Sequence, residues 1–300
     1  MTDWIHLTSG KEFSRLLYTN PVCILSTVDS SNEPSDDQVT IKNCNRDGPT
    51  SEKNEPSTHI NLRRNVMVLS WLTATNNSGR FLFSINKSRY STELLAPQRS
   101  GDKTGVEFSL SVPVKGMEEL VKDVGSISGR CCCKFQSNST SPNGEESRIR
   151  TDPPEGTCDN LSNRQRKKLR LDTIKNNGIL GLIPVPLGYA GSLERSGLFA
   201  IKGTVAHLRC RTYAVIGPHP SDNLGEMSNN ANSTKRPSID DDHLLIMAEV
   251  IDAYVHPSYW NPTKLLFCPQ QREGEEAVSP YLTFFGSQTF GYVVSSIADS

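Results

Sequence analysis

Among its 21 glycines the chain has no Gly-x-Gly, which removes both the dinucleotide-binding fingerprint and the kinase-type glycine loop. A Walker lysine, His-Glu-x-x-His and Gly-x-Ser-x-Gly are also missing. P-loop, zinc-peptidase and nucleophile-elbow chemistries therefore have no support. The six histidines are scattered, and none pairs with another at metal-binding spacing. There is no Cys-x-x-Cys: the eight cysteines stand at 23, 44, 131, 132, 133, 158, 210 and 268. That pattern fits neither a zinc site nor a disulfide framework, and reads as reduced thiols. A charge excess is absent too. At a net charge of −1 no global field draws the protein to nucleic acid or to an anionic membrane. No apolar run approaches the ~20 residues of a membrane-spanning helix. The segment Met1–His6 lacks the basic and apolar regions of a secretory signal. The expectation is a cytoplasmic protein.

Apolar side chains are also scarce, at 35% against the usual roughly 45–50%, so part of the chain should stay outside the core. Three polar stretches account for this: 43–58, 136–170 and 222–242 read as inserted loops. The remaining segments, about 8–42, 62–135 and 179–295, read as the core of a single domain. The basic run Arg164–Arg170 reads as a solvated helix face, with a nuclear-import or nucleic-acid patch as the alternative.

The core segments carry mostly strand character. Val22–Val28, Val66–Leu72, Phe81–Ile85 and Val106–Val112 are apolar runs bounded by turn residues. Further strands are expected at 39–41, 182–187, 198–208 and 281–285. The run 243–255 is rich in Ile, Val and Tyr and reads as one long strand. Helices are few: one behind the capping-box pair Ser9 and Glu12, a short one at 93–95, and one over 116–124. This pattern predicts a mainly β protein, a closed or nearly closed barrel with short capping helices and long polar loop insertions.

Chemistry concentrates at one corner. Asn86-Lys87-Ser88-Arg89-Tyr90-Ser91-Thr92 follows a strand and precedes a helix, bringing two cations and several hydroxyls beside free backbone N–H groups. Such a corner suits an anion, most usefully a phosphate; the alternative is a soluble turn.

Around that corner the chain resembles the flavin reductase-like family. The resemblance runs through Asn20–Thr27, Asn65–Thr73, Phe83–Thr92, Phe108–Pro113, Gly125–Arg130, Lys134-Phe135 and His243–Val250. It covers roughly half the residues; Ala248 stands where the family usually has glycine, and the polar loops have no counterpart in compact members. The resemblance implies an FMN-binding split β-barrel and a homodimer. It implies an FMN phosphate near Asn86, Lys87, Ser88, Arg89, Ser91 and Thr92, and a flavin ring along Ser70, Trp71, Leu72 and Thr73. NAD(P)H would be the reductant, making flavin and nicotinamide nucleotides the partners. Trp71 is equally readable as a core or dimer-contact aromatic. His243 is the candidate catalytic residue, near flavin or reductant, against the alternative of an ordinary strand histidine. The function expected is hydride transfer from NAD(P)H to flavin. The alternatives are another redox reaction on the same FMN-binding barrel, or a non-catalytic interaction module.

Overall fold

The computed structural model describes residues 4–17, 20–29, 63–95, 105–135, 162–188, 197–216, 242–270, 277–286 and 289–294. β1 (Ile5–Leu7) leads into α1 (Gly10–Leu17), whose start is fixed by the expected capping box. The Glu12 N–H donates to Ser9 Oγ at 3.3 Å, and the Ser9 N–H to Glu12 Oε2 at 2.9 Å. β2 (Cys23–Asp29) is apolar without alternation because both its faces are covered: Cys23 and Leu25 enter one core, Val22 and Ile24 a second.

The stretch 66–72, read in sequence as one strand, divides at Ser70–Trp71. β3 (Arg63–Leu69) pairs with β2, whereas β4 (Leu72–Ala74) pairs with β5 (Arg80–Asn86). α2 (Tyr90–Leu95) starts three residues earlier than the sequence suggests, taking Ser91 and Thr92 into its first turn. β6 (Glu107–Val112) and α3 (Glu118–Ser126) follow. α4 (Asn163–Asn177) then begins inside the stretch read as an insertion. The other insertion readings, 43–58, 136–161 and 222–241, lie outside the described residues, as does the strand read at 39–41.

β7 (Pro184–Val185) is only two residues long, between Gly181 at φ 76° and Pro186. The run 198–208 is not one strand. β8 (Ala200–Ile201) is cut off by a turn at Lys202-Gly203, with Gly203 at φ 84°, before β9 (Ala206–Ile216). Its apolarity is continuous because Phe199 and Ile201 are buried in the second core while Ala206 and Leu208 are buried in the first. β10 (His243–Val255) is the long strand expected, and register shifts at Met247/Ala248 and Val250/Asp252 let it bend. β11 (Trp260–Asn261) pairs with β12 (Leu266–Phe267), and β13 (Tyr281–Gly286) with β14 (Thr289–Val293).

The main sheet is antiparallel in the order β3-β2-β6-β9-β10-β5-β4, with β1 added to the far end of β10. β9 and β10, from after the central polar stretch, sit side by side between β6 and β5 from before it. Its two end strands, β3 and β4, do not pair with each other but are consecutive in the chain, so the sheet curls until its ends are joined through Ser70–Trp71. The result is a curled antiparallel half-barrel. Phe81, Phe83 and Phe108 fill its middle, with ring centroids 5.8–6.4 Å apart. Outside the barrel wall a second core forms where Ile24 and Val66 meet Val121 and Val124 of α3, Ile174 of α4 and Leu282 of β13. Among the described residues, no helix is long and apolar enough to cross a membrane.

Candidate functional site

Curling of the sheet gathers sequence-distant segments at one end. His243 opens β10 opposite Asn86, the last residue of β5. Trp71 stands at the β3–β4 corner, its carbonyl accepting the Ser84 N–H at 3.0 Å. The Trp71 ring is 63% exposed and lies 5.8 Å from the His243 ring, centroid to centroid. These residues line a groove of about 240 Å³, completed by Met67, Val68, Ser70, Arg89 and Phe284.

A smaller cleft of about 90 Å³ adjoins it and shares Met67, Val68 and Arg89. Its far wall brings together Asn65, Ser91, Ser128, Gly129 and Lys134. The Lys134 ammonium is buried and donates to the Val66 carbonyl at 2.7 Å and the Val124 carbonyl at 2.9 Å. It thereby ties β3 to the C-terminal turn of α3, where a cation also opposes the helix dipole. Burial foremost, with the Arg89 charge adding, brings its pKa down to about 8; Cys132 acts in the opposite direction. Asn65 is 3% exposed and donates from Nδ2 to Ser91 Oγ at 2.7 Å. Its Oδ1 has no partner. Ser26 and Thr27 hydroxyls share that condition, but only Asn65 lines a cleft. Gly129 packs so close that a Cβ there would sit 2.1 Å from Asn65 Oδ1. Among the described residues, neither wall carries a carboxylate. Two cations, one histidine, and an unpartnered amide oxygen make this a site for an anion that also carries hydroxyl donors.

Of the residues singled out in the sequence, Ser70, Trp71, Asn86, Arg89 and His243 share the groove, and Ser91 lines the cleft. The others stand apart. Leu72 is buried in the barrel core, and Thr73 is exposed on the neighbouring strand position. Thr92 is buried, its hydroxyl donating to the Asn86 carbonyl at 2.7 Å. Ser88 turns back to Asn86 Oδ1 at 2.6 Å. The Lys87 N–H is held by the Asp242 carbonyl at 2.9 Å, and Lys87 lines neither wall. Thr92 and Ser88 thus shape the corner that presents Arg89. Asn65, Lys134, Ser128, Gly129 and Phe284 were not assigned to the site from sequence. Asn65, Ser128, Gly129 and the Lys134-Phe135 pair stood in the resemblance, and that was the available signal.

Compared with protein-family models and with curated protein sequences, the chain matches none. Among solved structures it is similar to an FMN-binding domain of a flavin reductases-like enzyme from Shewanella baltica. The identity is 16%, over 100% of this chain and 98% of that one, with a TM-score of 0.48. A flavoredoxin from Methanosarcina acetivorans is 14% identical over 93% of this chain and 87% of its own, with a TM-score of 0.43. An NADH:FAD oxidoreductase from Streptomyces globisporus, in complex with NAD and FAD fragments, is 14% identical over 98% and 99%, with a TM-score of 0.41.

Proposed function

We propose that the protein is an FMN-binding oxidoreductase that takes hydride from NAD(P)H. The carrying observation is the adjoining pair of clefts, aromatic and open at Trp71 and His243, cationic and narrower at Arg89 and Lys134. Together they approach the lower end of the roughly 300–1,000 Å³ usual for small-molecule sites. The donor set fits the group. Arg89 and Lys134 suit a phosphate, and the unpartnered Asn65 Oδ1 suits a hydroxyl of the polyol chain, since it repels a phosphate oxygen. In this reading Trp71, Met67, Ser84 and His243 hold the ring end, and Arg89 stands between the two ends. The phosphate seat thereby shifts from Lys87 and Thr92 toward Arg89 and Lys134. Bound FMN would supply the two-electron chemistry. The chain's own work is to bind, orient and shield, with the Trp71 and Phe284 side chains limiting water at the mouth.

The visible spectrum of the purified protein, with mass analysis of any released chromophore, tests this directly. A flavin spectrum or saturable FMN binding is expected, with steady NAD(P)H consumption when flavin is added. Arg89→Ala should weaken FMN binding about tenfold or more, a loss of about 1.4 kcal/mol, while leaving the unfolding midpoint in place. Colourless protein that fails to retain added FMN overturns the proposal.

A further inference from the structure

The turn that closes the cleft, residues 127–135, carries three consecutive thiols in its middle. Cys131 and Cys133 are exposed, whereas Cys132 is turned inward against the second core. The other described cysteines differ: Cys23 and Cys210 are fully buried, and burial drives both thiols far up. Cys268 is half-buried and takes a hydrogen bond from Gln270. Cys131 and Cys133 are two residues apart in a turn that bends at Cys132. Chain geometry alone keeps their Cα atoms within about 7 Å, near the roughly 4.4–6.8 Å range a disulfide needs. Among the described residues, no group of three or more His, Cys, Asp or Glu side chains is arranged to hold a metal ion. Two exposed thiols with one residue between them are accessible to small disulfides and suited to two-electron thiol chemistry.

The same turn is held at three points, two of them on the cleft. Arg130 pairs with Glu93 of α2, Gly129 abuts Asn65, and Lys134 bridges Val66 and Val124. Between these points the Cys131 N–H donates to the Ser128 carbonyl at 3.1 Å. A new covalent bond between positions 131 and 133 tightens the bend and pulls on Gly129 and Lys134 from between them.

We propose that Cys131 and Cys133 form a redox-active dithiol, oxidised by low-molecular-weight disulfides, whose closure loosens the cationic end of the cleft. The coupling to the cleft rests on the flavin reading above; the dithiol itself does not. In the reaction the Cys131 thiolate attacks the small disulfide, forming a mixed disulfide and releasing one small thiol. The Cys133 thiolate then attacks the Cys131 sulfur, forming the internal bond and releasing the second. Two protein thiols lose two electrons and two protons, and one small disulfide becomes two thiols.

The test incubates the reduced full chain with oxidised glutathione and reads mass and FMN affinity. The expected mass change is the loss of two hydrogens, confined to the tryptic peptide between Arg130 and Lys134. FMN binding should weaken about tenfold and recover with dithiothreitol. Cys132→Ser should keep the mass loss, and Cys131→Ser or Cys133→Ser should abolish it while binding FMN as the reduced parent does. A stable glutathione adduct, or a bond to Cys132, Cys44 or Cys158, overturns the dithiol. Affinity unchanged by closure overturns the coupling. If the reduced protein binds no FMN, the coupling falls with the flavin reading, and the mass readout still decides the dithiol.

Discussion

The two sides of the barrel wall are built on opposite terms. The middle of the interior is hydrocarbon, with Phe81, Phe83 and Phe108 packed ring against ring and Leu25, Leu110, Leu208 and Ile246 around them. The outer side buries polar groups and mostly satisfies them. The Ser109 hydroxyl donates to the Phe199 carbonyl, and Ser111 Oγ accepts the Ile201 N–H at 3.2 Å. His207 Nδ1 accepts the Gly188 N–H at 3.2 Å, leaving its Nε2–H for Thr204 Oγ1 at 3.0 Å. Lys134 belongs to this outer side as well, whereas Asn65 stands at the end of the inner face of β3, on the same side as Met67 and Leu69. Apolar packing is tolerant of composition and supplies bulk stability. A buried polar group must be matched atom by atom, and the unmatched Oδ1 belongs to Asn65, a residue that lines the smaller cleft. The inside of the wall is held by apolar packing, and the outside by polar groups matched one by one.

That division can be broken at graded cost. Phe83→Ala should remove about 3–5 kcal/mol of stability by opening a cavity in the interior, measured by urea unfolding. If its cost falls below that of outer-wall variants, the contrast fails. Lys134→Met should cost less, about 1–3 kcal/mol, by leaving the Val66 and Val124 carbonyls unpaired. It should also remove a pH signature. With its folded pKa at about 8 against 10.5, Lys134 binds fewer protons folded than unfolded between those values. Wild-type stability should therefore rise from pH 8 toward 10, and the variant should lose this contribution.

The smallest effect lies at His207, whose pKa burial brings from 6.5 to about 3. The unfolded chain takes up the proton first, so stability should fall as pH drops below 6.5. The slope is up to about 1.4 kcal/mol per pH unit. His256, lowered by partial burial, adds in the same direction. Chemical unfolding between pH 6.5 and about 5.5, before carboxylates titrate, checks this. A flat profile there would mean that the buried imidazole contributes nothing.

Much of the interior was legible in the sequence because its signal is local. β2, β5, β6 and β10 are apolar runs with turn residues at their ends, and Ser9 with Glu12 marks the first helix. The division of β3 from β4 was not legible, because nothing local at Ser70–Trp71 says that the sheet closes there. The 198–208 run hid its turn because both sides are buried. Arg89, Trp71 and His243, which line the groove, were singled out through turn chemistry and the resemblance. Asn65 and Lys134 escaped because a buried amide or ammonium looks in sequence like any surface residue. Only the fold shows that Lys134 ends on two backbone carbonyls.

The closure at Ser70–Trp71 has one more consequence. The seam of the barrel is also a wall of the groove, so any molecule lying along it touches β3, the Ser70–Trp71 corner and β5 at once and acts as a clasp on the sheet. Occupancy of the groove and integrity of the barrel are then one linked equilibrium. A filled groove should slow amide exchange in β2 and β5 as well, strands that border the seam from opposite ends of the sheet.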